Sequence, residues 1–228
     1  SGTDPQVASA YNVPTGGIRH PWLTLKLMHL VGTWDPTIPL NYGLFENITV
    51  SNCTFNGNLI TRNVLSAGAP TGAGTVSGGG GLDVQDATAL VTNNLIAYNQ
   101  GQFGGGGKIQ RSSVRWVNNT MLSNTATWIA GGLIMEGSEP SGPGISPIVA
   151  NNVFSGNNMV QLHELDWVTP SIVNNLFYNS ATGIYSEWNN GSPYVITNVT
   201  ALNSLAEADN NVAADPQILA NAACDEYH

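Results

Sequence analysis

VRWVNNTMLSN, residues 114–124, is the stretch on which the fold turns. Aligned on Asn118, it has an apolar residue two places before (Trp116) and another three places after (Met121). The same frame recurs in ITVSNCTFNGN (48–58), ALVTNNLIAYN (89–99), PIVANNVFSGN (147–157), PSIVNNLFYNS (170–180) and YVITNVTALNS (194–204). The aligned asparagines are Asn52, Asn93, Asn118, Asn151, Asn174 and Asn198; LTLKLMHLVGT (23–33) fits as well, with Leu27 in their place. Apolar residues alternate within each unit, which is the period of a strand with one buried face.

Successive aligned positions from Leu27 are 25, 41, 25, 33, 23 and 24 residues apart. The two long steps hold the glycine-rich stretches Ser66–Gly81 and Gly137–Pro147, which read as loops inserted between similar units. Five units are preceded by a glycine-led strand: GGIR (16–19), GGLDV (80–84), GGKIQ (106–110), GGLIM (131–135) and GIYSE (183–187). Helices tolerate neither this spacing nor so many glycines. Short strands repeating about every 24 residues between Gly and Asn predict an all-β parallel solenoid of about seven coils. Coils would stack at roughly 4.8 Å, so one asparagine per coil can bond to the next through its carboxamide. The aligned asparagines share strand parity with the apolar residues before them, which predicts an internal ladder at these six positions.

The chain has 228 residues, with 6 Lys and Arg, 15 Asp and Glu and a net charge of -9. Only 9% of residues are charged, against roughly 25% in ordinary soluble domains. A phosphate-backbone partner needs clustered basic residues, so nucleic acid is excluded. No apolar run has the length of a membrane-spanning helix. The 27 Asn slightly outnumber the 26 Gly, a polar and lysine-poor composition that suits an extracellular or cell-surface setting. Cys53 and Cys224 do not make a disulfide framework. Cys53, beside its aligned asparagine, reads as a structural thiol.

The GG[IL] strand, the repeated NNxF or NNxI core and the closing EADNNVAADPQIL resemble right-handed parallel β-helix repeat proteins of the pectate-lyase-like superfamily. The ADPQ ending is similar to that of large bacterial secreted proteins with a choice-of-anchor C-terminal domain. The resemblance implies a single-stranded right-handed β-helix over residues 16–219, led into by residues 1–15 and followed by a tail at 220–228. It also implies that sequence continues after His228. Polygalacturonase-like motifs (Asn-Thr-Asp, Asp-Asp, Gly-His-Gly, Arg-Ile-Lys) do not occur.

Chemistry-bearing residues gather after the glycine-led strands. Glu136 and Glu187 each lie three residues past an apolar strand residue, on coils two steps apart, or roughly 9.6 Å. That separation is near the upper end for paired carboxylates in inverting glycosidases. Between them lies the coil with His163, Glu164 and Asp166, and Trp167 and Trp188 are close in sequence. Acids beside tryptophan suit a sugar, which stacks on the ring while the acids handle hydroxyls or a leaving group. The expected catalytic set is therefore Glu136, His163, Glu164 and Glu187, with Trp167, Trp188 and Asp166 as binding residues.

Asp83, Lys108 and Arg111 read as surface ion-pair residues. No cofactor is expected. Glu207, Asp209 and Asp215 could offer calcium oxygen ligands but lack the spacing of a calcium loop. Sequons at Asn47, Asn52, Asn118, Asn190 and Asn198 read as by-products of the repeat. The leading functional expectation is a non-catalytic extracellular scaffold that binds glycan or neighbouring protein surfaces. A polysaccharide lyase or glycoside hydrolase in a groove near Glu136 and Glu187 is the alternative. A self-assembling filament or complex subunit is the second alternative, because solenoid ends expose strand edges.

Overall fold

The computed structural model describes residues 23–26, 29–31, 53–64, 79–137, 144–165, 167–189 and 192–218. Their regular structure is almost wholly strand, distributed over three long sheets and one two-stranded sheet. The first sheet runs β1 (Leu23–Lys26), β3 (Cys53–Asn56), β6 (Thr88–Thr92), β10 (Ser113–Val117), β14 (Ile148–Ala150), β17 (Ser171–Val173) and β21 (Ala208–Asp209). The second runs β2 (His29–Val31), β4 (Leu59–Thr61), β7 (Leu95–Ala97), β11 (Thr120–Leu122), β15 (Val153–Ser155), β18 (Leu176–Tyr178) and β22 (Val212–Ala213). The third runs β5 (Leu82–Gln85), β9 (Gly107–Gln110), β13 (Ala130–Glu136), β16 (Val160–Glu164), β19 (Gly183–Asn189) and β20 (Ser192–Ile196). β8 (Gln100–Gly101) pairs with β12 (Thr125–Ala126), and α1 (Val199–Leu202) follows β20.

From β3 to β19 the chain visits the first, second and third sheets in turn and then begins again. Each strand pairs in parallel with the corresponding strand of the next repeat; β19 and β20 make the antiparallel exception. This arrangement is compatible with a parallel β-helix. Val91, Trp116, Val149 and Ile172 form one buried register row in the first sheet. Ile60, Ile96, Met121, Phe154 and Phe177 form another in the second, where the rings of Phe154 and Phe177 stack 5.3 Å apart. Both rows belong to one hydrophobic core, as the alternation in the sequence requires.

The asparagine ladder exists, one residue later than expected. Asn93, Asn118, Asn151 and Asn174 are exposed and left-handed, with φ of 56°, 58°, 57° and 56°. They turn the chain from the first sheet into the second, and asparagine tolerates that backbone better than most residues. The ladder is built by the residue after each of them, Asn94, Asn119, Asn152 and Asn175, continued by Asn58 at one end and Asn211 at the other, all buried. Each Oδ1 beyond the first accepts both the backbone N–H and the side-chain Nδ2–H of the asparagine one repeat earlier, as Asn152 does from Asn119 at 2.8 and 3.1 Å. The second Nδ2–H goes to a main-chain carbonyl, such as Trp116 O from Asn152 at 2.8 Å. Every polar atom of these amides is therefore used.

Two units were also out of frame. Phe55 pairs with Val91 rather than with Ile96, so Gly57 (φ 68°) holds the turn and Asn58 the ladder place; Asn52 lies outside the described residues. YVITNVTALNS is not a repeat. It forms the antiparallel strand β20 and α1, and the exposed Asn198 caps that helix by accepting from Ala201 N at 2.9 Å. The last ladder residue is Asn211 in the closing segment, where Asn210 turns the chain at φ 54°.

A second ladder stands at the next corner. Asn63, Asn99, Asn124 and Asn157 repeat the same bonding, with Asn124 Nδ2 donating to Asn157 Oδ1 at 2.9 Å. It ends where Ser180 takes the next asparagine's place. There Gln161 accepts from Asn157 Nδ2 at 2.6 Å and donates to Tyr178 O at 3.0 Å. The lead-in and tail, residues 1–15 and 220–228, lie outside the described residues.

Candidate functional site

The third sheet carries Glu136, His163, Glu164, Glu187 and Trp188, and its register divides them between two faces. The row Val84–Ile109–Met135–Glu164–Glu187 begins with three buried core residues and ends with two carboxylates. Glu164 and Glu187 are direct neighbours on β16 and β19, and Tyr194 on β20 is the register partner of Glu187. Tyr185 is fully buried and donates its hydroxyl to Glu164 Oε2 at 2.6 Å. Burial, and then the charges of Glu207 and Glu187, push the Glu164 carboxyl up to about 7 against the pull of the Tyr185 hydrogen bond. Burial and the neighbouring carboxylates likewise raise the Tyr185 phenol, so it remains a donor. Glu207 stands immediately before β21 and completes the acidic corner.

Glu136 and His163 are not part of this corner. Glu136 is in register with Gln110 and lies on the opposite face from Met135; its Oε2 meets Lys108 Nζ at 2.8 Å. The two-coil separation of Glu136 and Glu187 is present in strand order, but the two side chains have opposite parity. His163 is buried in the row Ile134–His163–Ser186, its Nδ1 2.6 Å from Ser186 Oγ and its Nε2 without a hydrogen bond. Burial lowers its pKa to about 4, so the ring is neutral near pH 7.

Trp167 (φ 60°) and Trp188 are both exposed; Trp188 has the outer parity of Ser186, and Asp166 lies outside the described residues. Tyr185, Tyr194 and Glu207 are the site residues that the catalytic reading missed. The signal for Tyr185 was within GIYSE itself, where tyrosine fills an inward place.

Among the basic residues, Arg111 makes the surface pair, a two-point contact with Asp86 at 2.6 and 2.7 Å, whereas Lys108 is buried and pairs with Glu136. Asp209 is engaged with Asn210, and Asp215 accepts from Gln217 N. Among the described residues no three His, Cys, Asp or Glu side chains gather to hold a metal ion, and no helix is long and apolar enough to cross a membrane. Cys53 is a core residue whose thiol burial pushes up to about 11.

Chemically, the corner offers a carboxyl that exchanges its proton near neutrality, a second carboxylate one strand away and an aromatic ring beside that second carboxylate. No protein-family model matches the chain, and no curated protein or solved structure matches it either.

Proposed function

We propose that the chain winds as a right-handed, single-stranded parallel β-helix of about seven coils and serves outside the cell or at its surface as a scaffold that binds glycan. The supporting observation is the hairpin at the end of the third sheet, where Tyr194, 52% exposed, is the register partner of Glu187 beside Glu164. An exposed ring offers a sugar's apolar face a platform, and carboxylates accept its hydroxyl protons. No cofactor enters this reading. Affinity electrophoresis through gels containing neutral and uronic-acid polysaccharides tests it: one of them should slow the protein, and Tyr194→Ala should release it. Unchanged mobility in every gel rejects the reading.

The second reading, glycoside hydrolysis at the same corner, is favoured by Glu164 itself. A carboxyl near 7 is suited to act as a general acid. Neighbouring strands stand roughly 4.8 Å apart, close to the carboxylate spacing of about 5–5.5 Å in retaining enzymes. New reducing ends that vanish in both Glu164→Gln and Glu187→Gln, with gel retardation kept, would establish it.

A further inference from the structure

The outer face of the first sheet carries a charge that neither the core nor the acidic corner uses. Val114 and Trp116 are buried, so Ser113 and Arg115 on the same strand have the outer parity. Register sets Arg115 in the row Thr54–Leu90–Arg115–Ile148, which crosses β3, β6, β10 and β14. Four strands span ~14 Å. A parallel row supplies hydroxyls: Thr88 is the register partner of Ser113, and Ser146, just before β14, has its Oγ 3.1 Å from Thr169 Oγ1. These two rows line one open groove of about 450 Å³.

Arg115 is exposed, and among the described residues its guanidinium has neither an ion pair nor a hydrogen bond. Lys108 and Arg111, by contrast, each meet a carboxylate. β3, β6, β10, β14 and β17 contain no Asp or Glu. In a chain of net charge -9 the groove is therefore a local positive spot. Half-buried Leu90 and Ile148 flank the cation, one strand away on either side.

We propose that this groove binds an acidic polysaccharide, with Arg115 holding a sugar carboxylate. A guanidinium presents two parallel N–H donors that match the two oxygens of a carboxylate. The C–H faces of the rings lie on Leu90 and Ile148, while Thr88, Ser113 and Ser146 exchange hydrogen bonds with ring hydroxyls. Other anionic polymers fit less well. Nucleic acid needs several clustered cations, and the groove has one. An acidic peptide strand docks on free main-chain groups, but β6 and β10 are paired on both edges. Glu164 and Glu187 repel such a polymer, so this site is separate from the acidic corner and does not rest on the glycan reading made there.

Titration calorimetry with alginate, a polyuronate, provides the test. Arg115→Gln should weaken binding about tenfold or more, with the melting temperature unchanged because the side chain is exposed. Arg115→Lys keeps the charge but loses the fork, and should also bind more weakly than the wild type. Tyr194→Ala should bind alginate as the wild type does, so that the two sites stand or fall separately. A wild-type chain that does not bind alginate overturns the proposal. Full binding by Arg115→Gln places the polymer elsewhere, and full binding by Arg115→Lys shows charge attraction without a built site; either result overturns it too. Dextran sulfate bound more tightly than alginate overturns the carboxylate assignment.

Discussion

At the scale of single residues, the fold depends on which of two adjacent asparagines faces inward. The doublet Asn118–Asn119 divides a turn from a bond. Asn118 supplies the left-handed backbone, while Asn119 donates to Asn152 Oδ1, Val91 O and Val117 O and accepts from Asn94. Asn119→Ala orphans several buried groups at about 1–3 kcal/mol each, so a loss of roughly 3 kcal/mol or more is expected in urea unfolding. Asn118→Ala should cost only the left-handed penalty of about 1–2 kcal/mol, and Asn118→Gly nearly nothing. Equal losses at the two sites would show the ladder to be misplaced.

The doublet also shows what the sequence made legible. The recurrence of asparagine once per repeat pointed to an internal carboxamide ladder, but strand parity chose the wrong, exposed member of each doublet because parity does not carry across a left-handed corner. FNGN held the missing clue: Gly57 fits a turn and cannot make a ladder bond, which leaves Asn58 for the interior.

His163 and Glu164 set opposite pH dependences. The folded pKa of His163 is below its usual 6.5, at about 4, so the unfolded chain binds the extra proton first. Its contribution is intact above pH 6.5 and is lost as pH falls toward 4, a penalty of ~3 kcal/mol. The folded pKa of Glu164 is raised from 4.5 to about 7, so its contribution is intact below 4.5 and is lost as pH rises through 7. Melting temperatures from pH 4 to 8 should therefore fall less on the acid side in His163→Leu and less on the neutral side in Glu164→Gln. Parallel curves for all three proteins would contradict both assignments.

At the scale of elements, the glycine-led strands are explained by close packing of backbone rather than by left-handed turns. A Cβ on Gly105 would stand 2.5 Å from the carbonyl oxygens of Gly131 and Thr125, and one on Gly81 2.5 Å from Gly106 O. Backbone cannot yield as a side chain can, so Gly105→Ala should destabilise at the upper end for point substitutions, more than about 4 kcal/mol. Gly156 is different: it is left-handed at φ 64°, and its nearest contact, Ser123 Oγ, is at 3.3 Å. Gly156→Asn should be tolerated because Asn179 already fills the equivalent corner of the next repeat at φ 48°. Comparing the midpoints of these variants separates the two uses of glycine, and a mild Gly105→Ala would refute the packing explanation.

The expected site was less legible than the fold for a related reason. Counting coils correctly placed Glu136 and Glu187 two strands apart. It could not give their faces, because that depends on a register slip in β13 between Ala130 and Leu133. Tyr185 and Glu207 reach Glu164 from different repeats, a proximity that no short sequence window contains.

At the scale of the whole molecule, the repeats are linked in series, and their stability should be graded rather than uniform. Each repeat contacts its neighbours, so interior ones gain two interfaces and terminal ones fewer. β10 and β11 have partners on both sides, whereas β21 and β22 are two-residue strands at the end of their sheets. The first ladder closes on Asn203 at the end of α1, which accepts from Asn211 Nδ2 at 2.9 Å and donates back to Asn211 O at 2.9 Å. That closure leaves Asn211 no free carboxamide for a second copy, so stacking through this ladder is disfavoured and sedimentation should not change with concentration. Hydrogen exchange reads the grading directly. Amides of Val114–Val117 and Thr120–Leu122 should exchange slowest and those of Asp209 and Ala213 fastest. Asn203→Ala should speed exchange in β21 and β22 while leaving β10 and β11 unchanged. If all these amides instead exchange at one common rate that Asn203→Ala alters everywhere, the molecule unfolds as a single cooperative unit and the serial account of its stability is wrong.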